Sequence, residues 1–362
     1  MNAQSAGFRA LAVNFPRGVR TNDYWLERHP QMVAEAASRT LAKLWTPGSA
    51  TSSASVFVAE MTPYLNDPFR GATRRRVLAP EETTLSMELP AARSAVEAAG
   101  LGPSEIDLLI SSAFLPDQVG IGNAAFLASA LGLRCPAWNL ETACTSSLVA
   151  LETACAFVRT GAYRNVLVVI SCSYSKVTPV TDTLSWSAGD GVAAFVVGAV
   201  PQGEGLLGMK TIHTADRCGA MRYDLVIEDG KPRIAMRAGK DAGPALRETS
   251  ERALLECCHG ALRAAGVTLD AIDFFVVPTP VAWYAAFAAK QLGFPVEKTL
   301  STFDRYANIG PVLMPANLFH AAASGRIRPG DLVMLHTVGI VSNASAAVVR
   351  WGDVKLGPPP EE

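Results

Sequence analysis

The chain has 362 residues, 49% of them hydrophobic and 18% charged, with 32 Lys and Arg against 33 Asp and Glu for a formal net charge of -1. That is enough apolar material for one large or two medium cores, and the balanced charge excludes the broad basic field that nucleic-acid binding favours. The longest apolar runs, such as Val166 to Ile170 and Val192 to Val197, fall far short of the roughly 20 residues a membrane helix needs, so they read as buried strands and no membrane partner is expected.

The opening segment has no long apolar core and no small-residue cleavage pattern, so no export signal is expected and the cytoplasm is the expected location. Arg20 to Pro90 reads as a long insertion that builds part of a substrate entrance. The most informative feature follows it. Ala95 to Gly100 recurs as Ala261 to Gly266, and Ile106-Asp107 recurs as Ile272-Asp273, each pair offset by 166 residues (261 minus 95; 272 minus 106). Each copy runs into an apolar stretch, which predicts a helix, a glycine stop, a short loop and a buried strand. The same spacing separates Arg164-Asn165 before Val166 from Gly330-Asp331 before Leu332. Val192 to Val197 resembles Ser345 to Val349 at a shorter separation. The chain therefore reads as two related halves, 1–204 and 205–362, joined at Pro201 to Gly205. Alternating helices and apolar strands predict an α/β protein with its sheets covered by helices.

Asn139 to Ser147 carries Cys144 between an apolar approach and the helical pattern of Leu148 to Val158. A strand-to-helix turn places the sulfur near backbone N–H groups and a helix N-terminus, which favour the reactive thiolate. Ala143 is small, and Thr145 to Ser147 offer capping hydroxyls. Adding 166 to 144 gives 310, so the counterpart turn lies in Asp304 to Gly310, with Asn308 expected close to Cys144. Gly189-Asp190-Gly191 lacks the Gly-x-Gly-x-x-Gly continuation and reads as a backbone turn, with no nucleotide expected. Seven cysteines are an odd count without metal-ligand spacing, so no metal is expected and most are read as buried thiols in a reducing compartment.

The segment around Cys144, Gly161 to Val169, Gly189 to Gly191, Tyr306 to Gly310 and Arg328 to Leu332 resemble β-ketoacyl-acyl-carrier-protein synthase III and its relatives in the thiolase superfamily, across residues 70 to 352. The resemblance implies a thiolase-like fold, two pseudo-symmetric halves in α-β-α-β-α layers. It also implies that Cys144 attacks a CoA or carrier-protein phosphopantetheine thioester, with no bound cofactor. The thioester oxygen would be held by N–H groups of Cys144 and of the Val338-Gly339-Ile340 turn. A homodimer is expected, with Val166 to Ser171 the sort of strand that pairs across its interface.

The family pattern breaks where a histidine normally follows a Val-Pro step, because Val277-Pro278 is followed by Thr279. Asn308 matches the family asparagine. Threonine is no base near neutral pH, which undermines the decarboxylation that histidine and asparagine together assist in the resembling enzymes. His336 and Asp117 are the substitute bases to consider, the second on a loop that reaches the partner's pocket in resembling dimers. Arg74, Arg75 and Arg76 lie at the family's basic pantetheine entrance and would hold a CoA phosphate or an acidic carrier protein. Tyr284 stands at a family arginine used in carrier docking. The expected function is acyl transfer to a small-molecule acceptor in specialised-metabolite, polyketide-like biosynthesis. The alternatives are carbon-carbon condensation with a substitute base, and a weakly active partner subunit of a homologous condensing enzyme.

Overall fold

The repeated helix-glycine-strand unit folds the same way twice. The computed structural model describes residues 4–44, 55–228, 230–239, 242–339 and 341–361. In chain order its first half carries β1 (Ala6–Asn14), β2 (Gly18–Thr21), α1 (Asp23–Arg28), α2 (Pro30–Leu44), α3 (Val56–Met61), β3 (Arg74–Val77), α4 (Thr84–Ala98), β4 (Leu108–Phe114), α5 (Ala124–Leu131), β5 (Ala137–Asn139), α6 (Ser146–Thr160), β6 (Val166–Ser173) and β7 (Asp190–Ala199). The second carries β8 (Gly205–His213), β9 (Met221–Glu228), β10 (Lys231–Ala238), α7 (Ala242–Ala265), β11 (Phe274–Val276), α8 (Tyr284–Leu292), α9 (Phe303–Tyr306), α10 (Leu313–Ala323), β12 (Leu332–Val338), β13 (Asn343–Arg350) and β14 (Lys355–Leu356). Gly100 and Gly266 end α4 and α7 with the same φ of +68°. The residues after them close the same turn, Leu101 N–H to the Val96 carbonyl and Val267 N–H to the Leu262 carbonyl, both at 3.1 Å. A left-handed stop of this kind favours a residue without Cβ.

The strand orders repeat as well. The first sheet runs β14-β1-β7-β6-β4-β5 and the second β11-β12-β13-β8, so β4, β6, β7 and β1 correspond to β11, β12, β13 and β8. In both, the first pair is parallel and the next two are antiparallel. The apolar clusters sort into three helical layers. Met87, Ala91 and Leu127 of α4 and α5 cover the outer face of the first sheet. Leu148, Leu151, Leu318 and Phe319 of α6 and α10 fill the space between the sheets. Leu254, Cys258 and Phe287 of α7 and α8 cover the outer face of the second. This is the α-β-α-β-α stack of the thiolase-like fold, and its central helices are buried because a sheet lies on each side of them.

Several expectations need correction. β6 pairs with β4 on one edge and β7 on the other, so it has no edge to offer a second copy; among the described strands of this sheet the free edge on that side belongs to β5. The stretch read as an insertion to Pro90 ends sooner, because α4 begins at Thr84 and Pro90 lies inside it. Part of that stretch serves the other half: Phe57 of α3 packs edge-on against Trp283 at 4.5 Å and Phe287 at 5.3 Å. Residues 45–54 of it fall outside the described residues. The tail returns to the first half, where β14 pairs in parallel with β1, Ala10 opposite Lys355. Among the described residues no helix is long and apolar enough to cross a membrane.

Candidate active site

Cys144 sits in a single 3-10 turn, Ala143–Thr145, immediately before α6. Ala143 has φ +55°, a left-handed conformation that costs a residue with Cβ about 1 to 2 kcal/mol. Glu141 holds this turn in place. Its carboxylate accepts from the Ala143 N–H at 2.7 Å, the Ser146 hydroxyl at 3.1 Å and the Ser112 hydroxyl at 3.2 Å. The second half braces the other side, where Ser342 donates to the Thr142 carbonyl at 3.0 Å and the Thr145 hydroxyl donates to Asn343 Oδ1. Gly339 must be bare here, because a Cβ would stand 2.7 Å from the Asn343 carbonyl oxygen. Ile340, expected beside it, lies outside the described residues.

Burial pushes the Cys144 thiol up to about 11, against the influence of the nearby Tyr174 hydroxyl and of its own N–H. That push acts against the lowering expected of a helix N-terminus, at a residue whose exposure leaves it half-buried. Desolvation outweighs the backbone, since the charged form is the one that burial disfavours.

The counterpart turn repeats the backbone with different chemistry. Ala307 has φ +56° and precedes Asn308 as Ala143 precedes Cys144, so the two turns correspond at an offset of 164 (307 minus 143). The Cys144 turn packs against Gly310–Val312, which follow Asn308 directly after Ile309. Asn308 is fixed by its backbone, with its N–H on the Ser187 carbonyl at 2.7 Å and its carbonyl on the Gly189 N–H at 2.9 Å. Its Oδ1 accepts from Gly310 N–H at 2.9 Å, which leaves the amide NH2 as the donor it can offer. Gly189 allows this approach, because a Cβ there would stand 2.1 Å from the Tyr306 carbonyl oxygen. The adjoining Asp190 is fully buried and accepts from Leu78 N–H and Ser175 N–H, both at 2.8 Å. Burial pushes its carboxyl up to about 6. Gly189 to Gly191 is therefore the entry into β7 and not the backbone turn expected, since Asp190 and Gly191 already pair with β6.

Thr279 is fully buried, and its hydroxyl accepts from Asn317 Nδ2 at 3.2 Å. The same Asn317 donates to the Val277 carbonyl at 2.8 Å and accepts from Thr302. The hydroxyl thus belongs to a small polar network on the second-half strand end and still has its own proton to give.

The two substitute bases are elsewhere engaged. His336 alternates along β12 with Met334 and Val338, which face α7 and α8, while Val333 and Leu335 face the central layer with α6. It is fully buried, its Nδ1 donates to the Ser345 carbonyl at 3.0 Å, and Nε2 has no partner among the described residues. Burial brings its pKa down to about 4, so it is a neutral ring on the wrong face of the sheet. Asp117 caps α4, accepting from Leu85 N–H at 2.7 Å and Thr84 N–H at 3.2 Å, and it pairs with Lys176. Burial works against its charge, but these partners outweigh burial and hold the carboxyl below its ordinary range. A base so committed is a poor proton acceptor.

The arginine cluster is also turned inward. Arg75 is fully buried, donates to the Trp186 carbonyl and to Asn22 Oδ1 (the latter at 2.6 Å), and lies over the Trp25 ring at 4.7 Å. Arg76 donates to the carbonyls of Pro16 and Glu361. Only Arg74 is left half-exposed for a phosphate. Tyr284 is fully buried against α7 and offers no docking surface.

Two residues at the site had no place in the reading of the sequence. Glu141 is the acid that organises the nucleophile turn. Tyr174, directly after β6, brings its hydroxyl up to Gly310, where a Cβ would lie 3.3 Å from it. The repeat signals the strand end and not the residue: Gly339 minus 166 is Ser173, so the end of β6 corresponds to the end of β12.

Comparison with known proteins agrees with this architecture. Residues 138–227 match the family described as 3-oxoacyl-[acyl-carrier-protein (ACP)] synthase III, and residues 262–351 match its C-terminal family. The chain is 32% identical over 286 residues to the β-ketoacyl-[acyl-carrier-protein] synthase III of Brucella abortus strain S19, covering 78% of this chain and 88% of that protein. Among solved structures, the 3-oxoacyl-[acyl-carrier-protein] synthase III of Aquifex aeolicus superposes with a TM-score of 0.77 at 22% identity, covering 96% of this chain and all of that one. OleA of Xanthomonas campestris with bound lauric acid and lauroyl-CoA superposes with a TM-score of 0.74 at 20% identity, covering 96% of this chain and all of that one.

Proposed function

The chain belongs to the β-ketoacyl-[acyl-carrier-protein] synthase III family, and on that premise we propose that it is an acyl transferase of specialised, polyketide-like metabolism, forming an acyl-enzyme on Cys144. The donor is a CoA or carrier-protein thioester, a class in keeping with the lauroyl-CoA held by the similar OleA fold. The acceptor is an alcohol, amine or activated carbon nucleophile that needs little help to react. The observation that carries this reading is an organised nucleophile turn, braced by Glu141 and by the second half, with threonine where the family histidine would stand. Splitting the transfer at an acyl-enzyme turns one hard step into two easier ones.

Cys144 N–H and Gly339 N–H would hold the developing oxyanion, the group whose charge grows most in the transition state. Asn308 would offer its amide NH2 and Thr279 its hydroxyl to the acyl group. Decarboxylative condensation is the weaker reading, because His336 faces another layer and Asp117 is spent on capping α4. A homodimer is supported by Val119 and Ile121, 74% and 66% exposed on the loop beside the free edge of β5; a sedimentation mass of one chain would refute it.

The test is intact-protein mass measurement after incubating wild type and Cys144→Ala with acyl-CoA and acyl-carrier thioesters. A mass gain confined to wild type is expected. No adduct with any donor would overturn the reading in favour of a partner subunit for an active homologue.

A further inference from the structure

From Leu313 to Phe319 every residue of α10 is buried, and Asn317 is the one polar side chain among them. An amide so placed costs stability unless its donors and its acceptor are met. Its Nδ2 donates to the Val277 carbonyl at 2.8 Å and to Thr279 Oγ1 at 3.2 Å, and its Oδ1 accepts from the Thr302 hydroxyl at 2.7 Å. The direction of these bonds follows from Val277. A carbonyl oxygen can only accept, so the NH2 group must stand on that side, with its second N–H on Thr279. Thr279 is therefore an acceptor towards Asn317 and keeps its own proton. Among the described residues that proton has no acceptor, although Thr279 is fully buried. Buried polar groups are ordinarily paired, so a buried donor left open marks a place where a ligand atom completes the bond. The open donor borders the nucleophile. β11 and β12 pair through Val276 and Leu335, so the segment carrying Thr279 leaves the sheet beside the one carrying Gly339, whose Cβ would stand 3.4 Å from Thr145 Cγ2. The Thr279 side chain turns to α10 in the central layer, opposite to the direction of His336. At the far end of the network the Thr302 carbonyl accepts from Arg305 and Tyr306 N–H, both at 3.0 Å, and so starts the short helix α9 that leads to Asn308.

We propose that Asn317 aims the Thr279 hydroxyl proton into the active site, where it selects an acyl group with a second oxygen beside its thioester carbonyl, of the 3-oxoacyl or malonyl type. The inference rests on the acyl transfer at Cys144 proposed above and names the substrate class for that site. The thioester oxygen is assigned to Cys144 N–H and Gly339 N–H, so a further donor serves only another oxygen. Asn308, with its Oδ1 taken by Gly310 N–H at 2.9 Å, likewise has only N–H to offer. This wall presents donors and no base. It holds an oxygen-bearing acyl group in place, whereas a plain alkyl chain would leave the Thr279 donor buried and unpaired. Asn317 touches no substrate and is a positioning residue.

The test compares two thioesters of equal length, acetoacetyl-pantetheine and butyryl-pantetheine, the second lacking only the 3-oxo group. Their binding to Cys144→Ala protein, which cannot be acylated there, is measured by calorimetry, alone and combined with Thr279→Val, Thr279→Ser or Asn317→Asp. Thermal melting checks the folding of each. The acetoacetyl thioester is expected to bind about tenfold more tightly, the worth of one hydrogen bond. Thr279→Val is expected to abolish that preference and Thr279→Ser to keep it. Asn317→Asp is expected to abolish it too. Ionised or protonated, a carboxyl has at most one proton, which the Val277 carbonyl takes, and Thr279 must then turn its own proton towards the oxygen left over. A role in packing alone would weaken both thioesters alike and leave their ratio unchanged. Equal affinity for the two, including no binding of either, would overturn the proposal, as would a preference that survives Thr279→Val or a folded Asn317→Asp. Should Asn317→Asp fail to fold, Thr279→Val and Thr279→Ser decide alone. A Thr279-dependent preference in a protein whose wild type no thioester acylates would support the subsite and sink the transferase reading alone.

Discussion

The two halves share a backbone and divide the chemistry between them. Ala143 and Ala307 hold nearly the same left-handed φ, +55° and +56°, yet one introduces a thiol and the other an amide. The end of β6 carries Ser173, whose hydroxyl bonds to that of Thr84, while the matching end of β12 carries the bare Gly339. Glu88, fully buried in α4, has Leu254 as its counterpart in α7 at the same offset of 166. In the Cys144 and Glu88 comparisons the first half supplies the ionisable or nucleophilic group. The second half supplies amides, hydroxyls and glycines that let backbone approach. Pseudo-symmetry thus gives one pocket two walls of the same shape, which can diverge in residue type without disturbing the packing.

The largest effect should come from the second half's bare wall. Gly339→Ala puts a Cβ 2.7 Å from the Asn343 carbonyl, and the turn must move. If Gly339 N–H is an oxyanion donor, acylation of Cys144 should fall about 100-fold, the usual loss for one such donor. An unchanged rate would confine oxyanion binding to the first half. Next is Glu141→Ala, which strips three donors of their acceptor, including the N–H of a strained residue. Unfolding in urea should show a loss of about 1 to 3 kcal/mol, and acylation should slow about tenfold. A variant equal to wild type in both would mean that the turn is held from the second half alone.

The smallest effect concerns Glu88, which accepts from Ser171 at 2.5 Å and Asn123 at 2.9 Å. Burial pushes its carboxyl up to about 7 against those hydrogen bonds. A carboxyl raised in the fold favours the protonated form. Its contribution to stability is complete below about pH 4.5 and is lost as the pH rises through 7. Glu88→Gln should therefore match wild type near pH 4.5 and be more stable at pH 8 by about 1 to 3 kcal/mol. Equal gains at both pH values would mean that the charge on Glu88 is not what costs stability there.

The sequence made the halves legible because a repeat of 166 residues preserves the helix stop, the loop and the strand, all of which depend on local residue types. It also brought Asn308 to the counterpart of the Cys144 turn. It did not reveal Arg75 and Arg76 as interior groups, since a run of three arginines ordinarily marks a solvated turn. Carbonyl oxygens and the Trp25 ring, far away in sequence or supplied by a separate loop, make their burial tolerable. His336 was nearest to the site by position along β12 and excluded by parity, because neighbouring residues of a strand face opposite sides. The bracing of the Cys144 turn was out of reach for a different reason. A helix N-terminus is visible in a sequence, and the contacts of Glu141, Ser342 and Asn343 that hold it are made only by the fold.

The most direct test of an acyl transferase working without an imidazole is to offer wild-type protein a malonyl thioester and weigh the Cys144 peptide while following carbon dioxide release. Intact malonyl on Cys144 with no carbon dioxide is the result expected here. An acetyl adduct formed with release of carbon dioxide would contradict it and restore decarboxylative condensation as the reaction.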